Sequence, residues 1–168
     1  SLGNLSFIHQ IEDKRKADGI SLPSFRDDLE NPKVYEEINA LHLCRIFQLD
    51  NSKGIKKAIE EITPDSFKDI ASLLALYRPG PRNYISSFAK RKKGREKIVY
   101  PSKLLEPILK DTYGIRVYQE QVRQSVMAFA GFSASDADLF RRAISKKDIG
   151  KRKQYEPLFY LGAEKSTM

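Results

Sequence analysis

Arg141, Arg142, Lys146 and Lys147 stand close together in LFRRAISKKD, and Arg78 stands just before the turn PGP. The chemistry such a set can do is phosphate binding: guanidinium forks match phosphate oxygens, and lysines add charge without fixed geometry. At about 100° per residue on a helix, Phe140, Ile144, Ala143 and Ala137 fall on one side, with Arg141, Ser145, Arg142 and Lys146 on the other, a cationic face backed by core. The same pattern also describes a solvated helix whose basic end complements its own C-terminal dipole. Arg78 has a similar plain reading as a cation at a helix C-terminus, although PGP fixes the chain beyond it and would aim the side chain.

The stretch YGIRVYQEQVRQ is the second chemical feature. Tyr118 and Val122 fall on a core side of a helix, while Gln119, Gln121, Arg116 and Arg123 form a polar side that a core helix does not need. Catalytic sets are missing by comparison. The D-x-D pair Asp136 and Asp138 would point about 200° apart on a helix, which is poor for a shared metal. Asp136 instead suits a cap after Ser133, and Asp138 an ion pair with Arg141 and Arg142 at i+3 and i+4. His9 and His42 lack companions at zinc spacing. No phosphate-cradling glycine loop, serine elbow or dinucleotide fingerprint occurs.

These groups sit in a chain of 168 residues with 30 Lys+Arg against 22 Asp+Glu, a formal +8 that favours a polyanionic partner such as nucleic acid, nucleotide or an anionic membrane. The excess gathers in two clusters. One holds Lys90, Arg91, Lys92, Lys93, Arg95 and Lys97; the other runs from Arg141 and Arg142 through Lys146 and Lys147 to Lys151, Arg152 and Lys153. The single cysteine, Cys44, excludes an intrachain disulfide framework. With no membrane-spanning run and no signal-peptide pattern, a reducing, cytoplasmic location is the expectation.

Helical periodicity dominates the elements that must position these residues. A first helix with Phe7, Ile8 and Ile11 is expected to stop near Gly19, and Asn31-Pro32 to open another through Val34, Ile38 and Leu41. RIFQLD alternates and reads as extended. Asp50, Asn51 or Ser52 caps a helix whose Ile55, Ala58, Ile59 and Ile62 share one face. Thr63-Pro64 is expected to start the next, with Phe67, Ile70, Leu73, Leu74 and Tyr77 as its stripe, ending at Arg78 before proline. Residues 82–100 read as a basic loop or short hairpin. Pro107 opens a short helix closing at Gly114, a helix through Val126 and Phe129 ends at Gly131, and Ser133 caps the last. The fold class is mainly α: a multi-helix domain with a few short extended segments and a basic loop.

Taken in order, IFQLDNSKGI, TPDSFKDIASLLALYRPGP, LEPILKDTYGI, VYQEQV and AGFSASDADLFRRAISKKD, with PLFYLGAEK less sharply, resemble the fingers domain of the C-family polymerases, the alpha subunits of bacterial replicative DNA polymerase III. LGNLSFIHQI is similar to the tail of the preceding palm domain. The resemblance implies residues 1–20 as palm tail or linker and 21–168 as one globular fingers unit. It implies that Arg78, Arg141 and Arg142 contact the incoming deoxynucleoside triphosphate with Lys146 and Lys147 assisting, and that Tyr118, Gln119 and Gln121 lie near the nascent base pair or template. Lys90, Arg91, Lys92 and Lys93 would meet the DNA backbone. Mg2+ would be bound by palm aspartates outside this chain, which alone would be inactive. Partners would be primer-template DNA, dNTP, the other polymerase domains and, through regions outside this chain, replisome subunits such as the sliding clamp, with no membrane. The sequence departs from the family at Arg116 and Arg123, commonly apolar and methionine, at Arg82, commonly methionine or leucine, and at SKLL, which lacks a histidine-proline. The rival is a self-contained basic helical module that binds nucleic acid or a partner protein, its cations displayed along one protruding helix.

Overall fold

The computed structural model describes residues 10, 13–19, 29, 31–50 and 52–167, with side chains to residue 164. Phe7, Ile8, His9 and Ile11, and most of the expected palm tail over 1–20, lie outside the described residues. Residues 13–17 are helical, and Gly19 follows with a left-handed φ of 70°. Among the described residues every regular element is a helix. The chain divides into two units, Ser1–Leu74 and Ala75–Met168.

In the first unit Asn31 caps α1 (Pro32–Asn39), its side chain accepting from Lys33 N at 3.1 Å. Tyr35 and Ile38 are buried, and the Tyr35 hydroxyl donates to the Leu29 carbonyl. Val34, expected inward, is exposed. RIFQLD is not extended. Its backbone closes on itself through turn bonds, Ile46 N to Leu43 O, Leu49 N to Ile46 O and Asp50 N to Ile46 O, with left-handed φ at Arg45 and Gln48. Local bonds satisfy these peptide groups without a partner strand, and buried Leu43 and Leu49 anchor the loop while Ile46 and Phe47 face outward.

Ser52 caps α2 (Lys53–Ile62), accepting from Ile55 N at 3.2 Å, and Ile55, Ala58, Ile59 and Ile62 are all buried, the face the spacing predicts. Thr63 does not start the next helix. It ends α2 in the left-handed region at φ 52°, and Ser66 caps α3 (Phe67–Leu76) by accepting from Asp69 N at 3.3 Å. Asp69 reaches back past the cap to accept from Asp65 N at 3.2 Å, and the helix begins three residues beyond the expected start. Asn39 Nδ2 donates to Pro64 O at 2.9 Å and fixes the turn between helices. Leu73 is buried as expected, but Phe67 is 51% exposed.

The second unit opens on YRPGP. Gly80 takes φ 105°, a 3-10 turn covers Pro81–Tyr84, and the Arg82 guanidinium lies 4.3 Å over the Tyr77 ring. Residues 85–92 are not a loop or hairpin. They form α4 (Ile85–Lys92), with Ile85, Phe88 and Ala89 buried at i, i+3 and i+4 and the lysines at its C-terminal end, where they complement the dipole. A 3-10 turn (Lys103–Leu105), α5 (Glu106–Leu109) and a second 3-10 turn (Lys110–Thr112) lead to Tyr113 and Gly114, both left-handed. A side chain on Gly114 would press on Ile98 and on the Val99 carbonyl at 3.1 Å. Tyr113 packs edge-on against Phe88 at 5.0 Å.

Three helices then pack on one another: α6 (Gln119–Ala130), α7 (Ala134–Ser145) and α8 (Ile149–Thr167). Aromatic rings fill the seam, with Phe132 on Phe140 and Phe129 on Phe159 at 5.8 Å, and Phe140 stacked on Phe159 at 6.1 Å. The sequence reading stops at α7. Pro157, Gly150 and Gly162 disguise α8, whose propensity is poor and whose support is tertiary. Gly162 lies so close to the end of α6 that an added Cβ would overlap the Ala130 carbonyl group. Inside a helix, Gly→Ala ordinarily stabilises by about 1 kcal/mol. Here the sign reverses: Gly162→Ala is expected to lose about 1–3 kcal/mol through overpacking, seen as a lower denaturant midpoint, whereas a raised midpoint would contradict the close approach.

Candidate anion-binding face

Ser133 opens α7, its Oγ accepting from Asp136 N at 3.2 Å and donating to Asp136 Oδ2 at 2.6 Å. Ala137 and Ala143 are buried, and this packing turns positions 138, 141 and 142 together. Ile144, expected inward, is 42% exposed. Asp138 sits between the two arginines. Its Oδ1 accepts from Arg141 Nε at 3.0 Å and Nη2 at 2.8 Å, and its Oδ2 meets Arg142 Nε at 2.7 Å. The hydrogen bond from Arg141 holds the Asp138 carboxyl below the ordinary aspartate range, burial opposes this, and the charge of Arg142 adds to it. Arg141 Nη1 donates to Gln119 Oε1 at 2.6 Å, tying α7 to the first residue of α6.

The two guanidinium groups therefore differ. The Arg141 side chain is 21% exposed and that of Arg142 is 64% exposed. Arg142 lines a recess of about 370 Å³ with Lys146, Lys151, Asp148, Gln154 and Tyr155. Asp148 caps α8 there, its Oδ1 accepting from Lys151 N at 3.0 Å, so one carboxylate is already engaged with the backbone. Arg141 lines a second recess of about 240 Å³ with Gln119, Glu120, Arg123 and Asp138. Arg123, which the family resemblance leaves unexplained, thus stands beside the arginine pair. Arg116 is exposed, and nothing in the structure explains it.

The other expected residues separate into outward and inward groups. Arg78 and Lys147 are exposed, and neither lines these two recesses. Lys90 and Lys93 are exposed and Lys92 half-buried. Arg91, expected on the DNA backbone, is turned inward: its side chain is 18% exposed, Nε pairs with Glu96 at 2.7 Å and Nη1 donates to Tyr113 O at 3.1 Å. It clamps the loop after α4 to the turn at Tyr113.

Gln121, expected beside a base pair, is buried. Its Oε1 accepts from Val117 N at 2.8 Å and Tyr118 N at 3.0 Å, while Nε2 donates to Thr112 Oγ1 at 2.8 Å and Ile108 O at 3.2 Å. The Thr112 hydroxyl donates in turn to Ile115 O at 2.6 Å. All four of the amide's hydrogen-bonding positions are used within the unit, which gives it a structural role. The signal was present in the sequence as a glutamine three residues after the N-cap Tyr118, the capping-box spacing. Tyr118 is half-buried and Gln119 exposed. Lys151, Gln154 and Tyr155 were missed as site residues because the helix carrying them was missed.

The chain matches the family described as bacterial DNA polymerase III alpha subunit finger domain over residues 4–167. It is 41% identical over 147 residues to the DNA polymerase III subunit alpha of Aquifex aeolicus (strain VF5), covering 86% of this chain and 13% of the relative. It is 39% identical over 166 residues to that of Staphylococcus aureus (strain COL), covering 98% of this chain and 16% of the relative. The chain therefore spans only about a seventh of the length of the curated relatives it matches.

Two outcomes follow from the geometry. Gln121→Met leaves the Val117 and Tyr118 N–H groups and the Ile108 carbonyl without their partner, and is expected to cost about 2–4 kcal/mol in a chemical unfolding experiment. A loss within a few tenths would remove the amide's structural role. Asp138, with its folded pKa depressed, contributes stability that is present above its unfolded pKa and lost as pH falls through the folded one. A carboxyl NMR titration is expected to place its midpoint below that of an unpaired aspartate, and an ordinary midpoint would mean the arginines do not hold it in solution.

Proposed function

Because the chain belongs to the bacterial DNA polymerase III alpha subunit finger domain family, we propose that in the full-length polymerase α7 and the start of α8 hold the triphosphate of the incoming deoxynucleotide. The observation that carries this reading is the recess shared by Arg142, Lys146 and Lys151. Cations from two helix segments turned into one concavity suit a compact polyanion, while a groove-reading module would spread them along one protruding helix. The triphosphate carries its charge from binding through in-line transfer, and cations fixed in advance around it hold it in place for attack.

Each residue then has a part. Arg142 donates its Nη edge to phosphate oxygens, Lys146 and Lys151 supply charge, and Arg141 offers what Asp138 and Gln119 leave of its fork. Arg78 and Lys147 assist from exposed positions. Gln119, beside the arginine, and Tyr118 face the nascent base pair or template. Lys90, Lys92 and Lys93 meet the backbone of the primer-template DNA. Among the described residues no three His, Cys, Asp or Glu side chains gather to hold a metal ion. We assign Mg2+, which would neutralise phosphate charge, to palm carboxylates outside this chain, and contacts to the sliding clamp likewise to other regions of the polymerase. No helix among the described residues is long and apolar enough to cross a membrane. The reading places the enzyme in the cytoplasm.

Arg142→Ala in the full-length polymerase is expected to raise the dNTP KM about tenfold or more, the scale of one charge-assisted hydrogen bond. In the same primer-extension assay the 168-residue chain alone is expected to extend nothing. An unchanged KM would remove the triphosphate role, and extension by the chain alone would overturn the division of labour with the palm.

A further inference from the structure

The arginine pair raises a problem that phosphate binding alone does not solve. Adjacent guanidinium groups on a helix repel each other and have many rotamers, so bare Arg141 and Arg142 would splay into solvent. Asp138 prevents this from one turn earlier on α7, because positions i, i+3 and i+4 share a face. One oxygen takes the Nε and one Nη of Arg141, at 3.0 and 2.8 Å, and the other takes the Nε of Arg142 at 2.7 Å. Gln119 takes a third donor of Arg141 at 2.6 Å. A guanidinium has five N–H donors, so Arg141 keeps two and Arg142, engaged in these bonds only through Nε, keeps four. The donors that remain are all on Nη nitrogens, one on each Nη of Arg141 and two on each Nη of Arg142. One negative charge between two positive ones still leaves the face cationic.

We infer that Asp138 is a positioning residue for nucleotide binding: it fixes the Nε edges of Arg141 and Arg142 and leaves their Nη edges aimed for a polyphosphate. This rests on the triphosphate reading above. It also makes a prediction of sign. If Asp138 merely diluted the positive field, its neutralisation would tighten nucleotide binding. If it aims the arginines, neutralisation weakens binding, because an asparagine amide offers one acceptor oxygen and turns an N–H group toward the other guanidinium.

The test uses the full-length polymerase and steady-state primer extension with varied dNTP. Asp138→Asn is expected to raise the dNTP KM about tenfold with kcat within about twofold, the pattern of lost binding shared by ground and transition states. Asp138→Glu, whose longer arm still reaches both arginines, is expected to recover most of that. In an Arg141→Ala/Arg142→Ala background, Asp138→Asn is expected to add less than about twofold, since it acts through those side chains. A lowered or unchanged KM in Asp138→Asn while Arg142→Ala raises it, or a full additional loss in the arginine-less background, overturns the inference and leaves the triphosphate reading standing. An unchanged KM in Arg142→Ala overturns both. Should Asp138→Asn lose its cooperative thermal transition, Gln119→Met releases the Nη1 tether of Arg141, and the effect that counts is the part that disappears in an Arg141→Ala background, which loss of a base-pair contact would not. That substitution is expected to raise KM by about threefold, and no rise there counts against the aiming of Arg141.

Discussion

The buried amide of Gln121 is the constraint on which the cationic face rests. It closes the loop from Ile108 to Tyr118 by accepting two backbone N–H groups and donating to the Ile108 carbonyl and the Thr112 hydroxyl. That fixes where α6 begins. Two residues earlier in sequence Gln119 stands at the first turn of α6, where its amide oxygen holds Arg141 of α7. Asp138 then couples Arg141 to Arg142, and Arg142 opens onto the recess that α8 completes. A polar group with every donor and acceptor satisfied is what makes such a chain of contacts rigid, whereas a partly satisfied one would be a liability.

This organisation divides the basic residues by what they touch. Arg82 lies over Tyr77, Arg91 joins Glu96 to the Tyr113 carbonyl, and Arg141 is largely enclosed by Asp138 and Gln119. These arginines use planar forks to lock turns and helix junctions, a job a lysine ammonium does poorly. Arg142, Lys146 and Lys151 remain turned into open space. Net charge therefore says that a polyanion is welcome, and pairing geometry says which cations are left to meet it.

Legibility in the sequence followed how local each determinant is. The face of α2 was legible because Ile55, Ala58, Ile59 and Ile62 repeat at helical spacing and serine caps it; the ion pairs of Asp138 were legible because i, i+3 and i+4 are neighbours on any helix. Thr63-Pro64 misled because a threonine before proline serves equally as the end of one helix, and the distinction lies in Ser66 and Asp69 beyond it. Lysines and arginines hid α4, whose apolar positions Ile85, Phe88 and Ala89 span barely one turn. The glycines and proline of α8 hid a helix whose reason to exist is its packing on α6 and α7, and the recess disappeared from view with it. The burial of Gln121 was hidden because an amide in a polar helix start reads as exposed until the loop that buries it is known.

The carboxylates of α7 complete the argument. Asp136 and Asp138, two residues apart, diverge: one exchanges bonds with Ser133 at the helix start, and the other faces along the helix to Arg141 and Arg142. Each acts on the shape of its neighbours. The first sets where α7 begins and hence the rotation of every later side chain on it. The second converts two mobile cations into a pair with defined free edges. Arginines whose conformational freedom is already restricted in the unliganded chain need not be ordered when a ligand arrives, and that ordering would subtract from the binding energy. The carboxylate that looked like an incomplete metal site thus restrains the two arginines beside it.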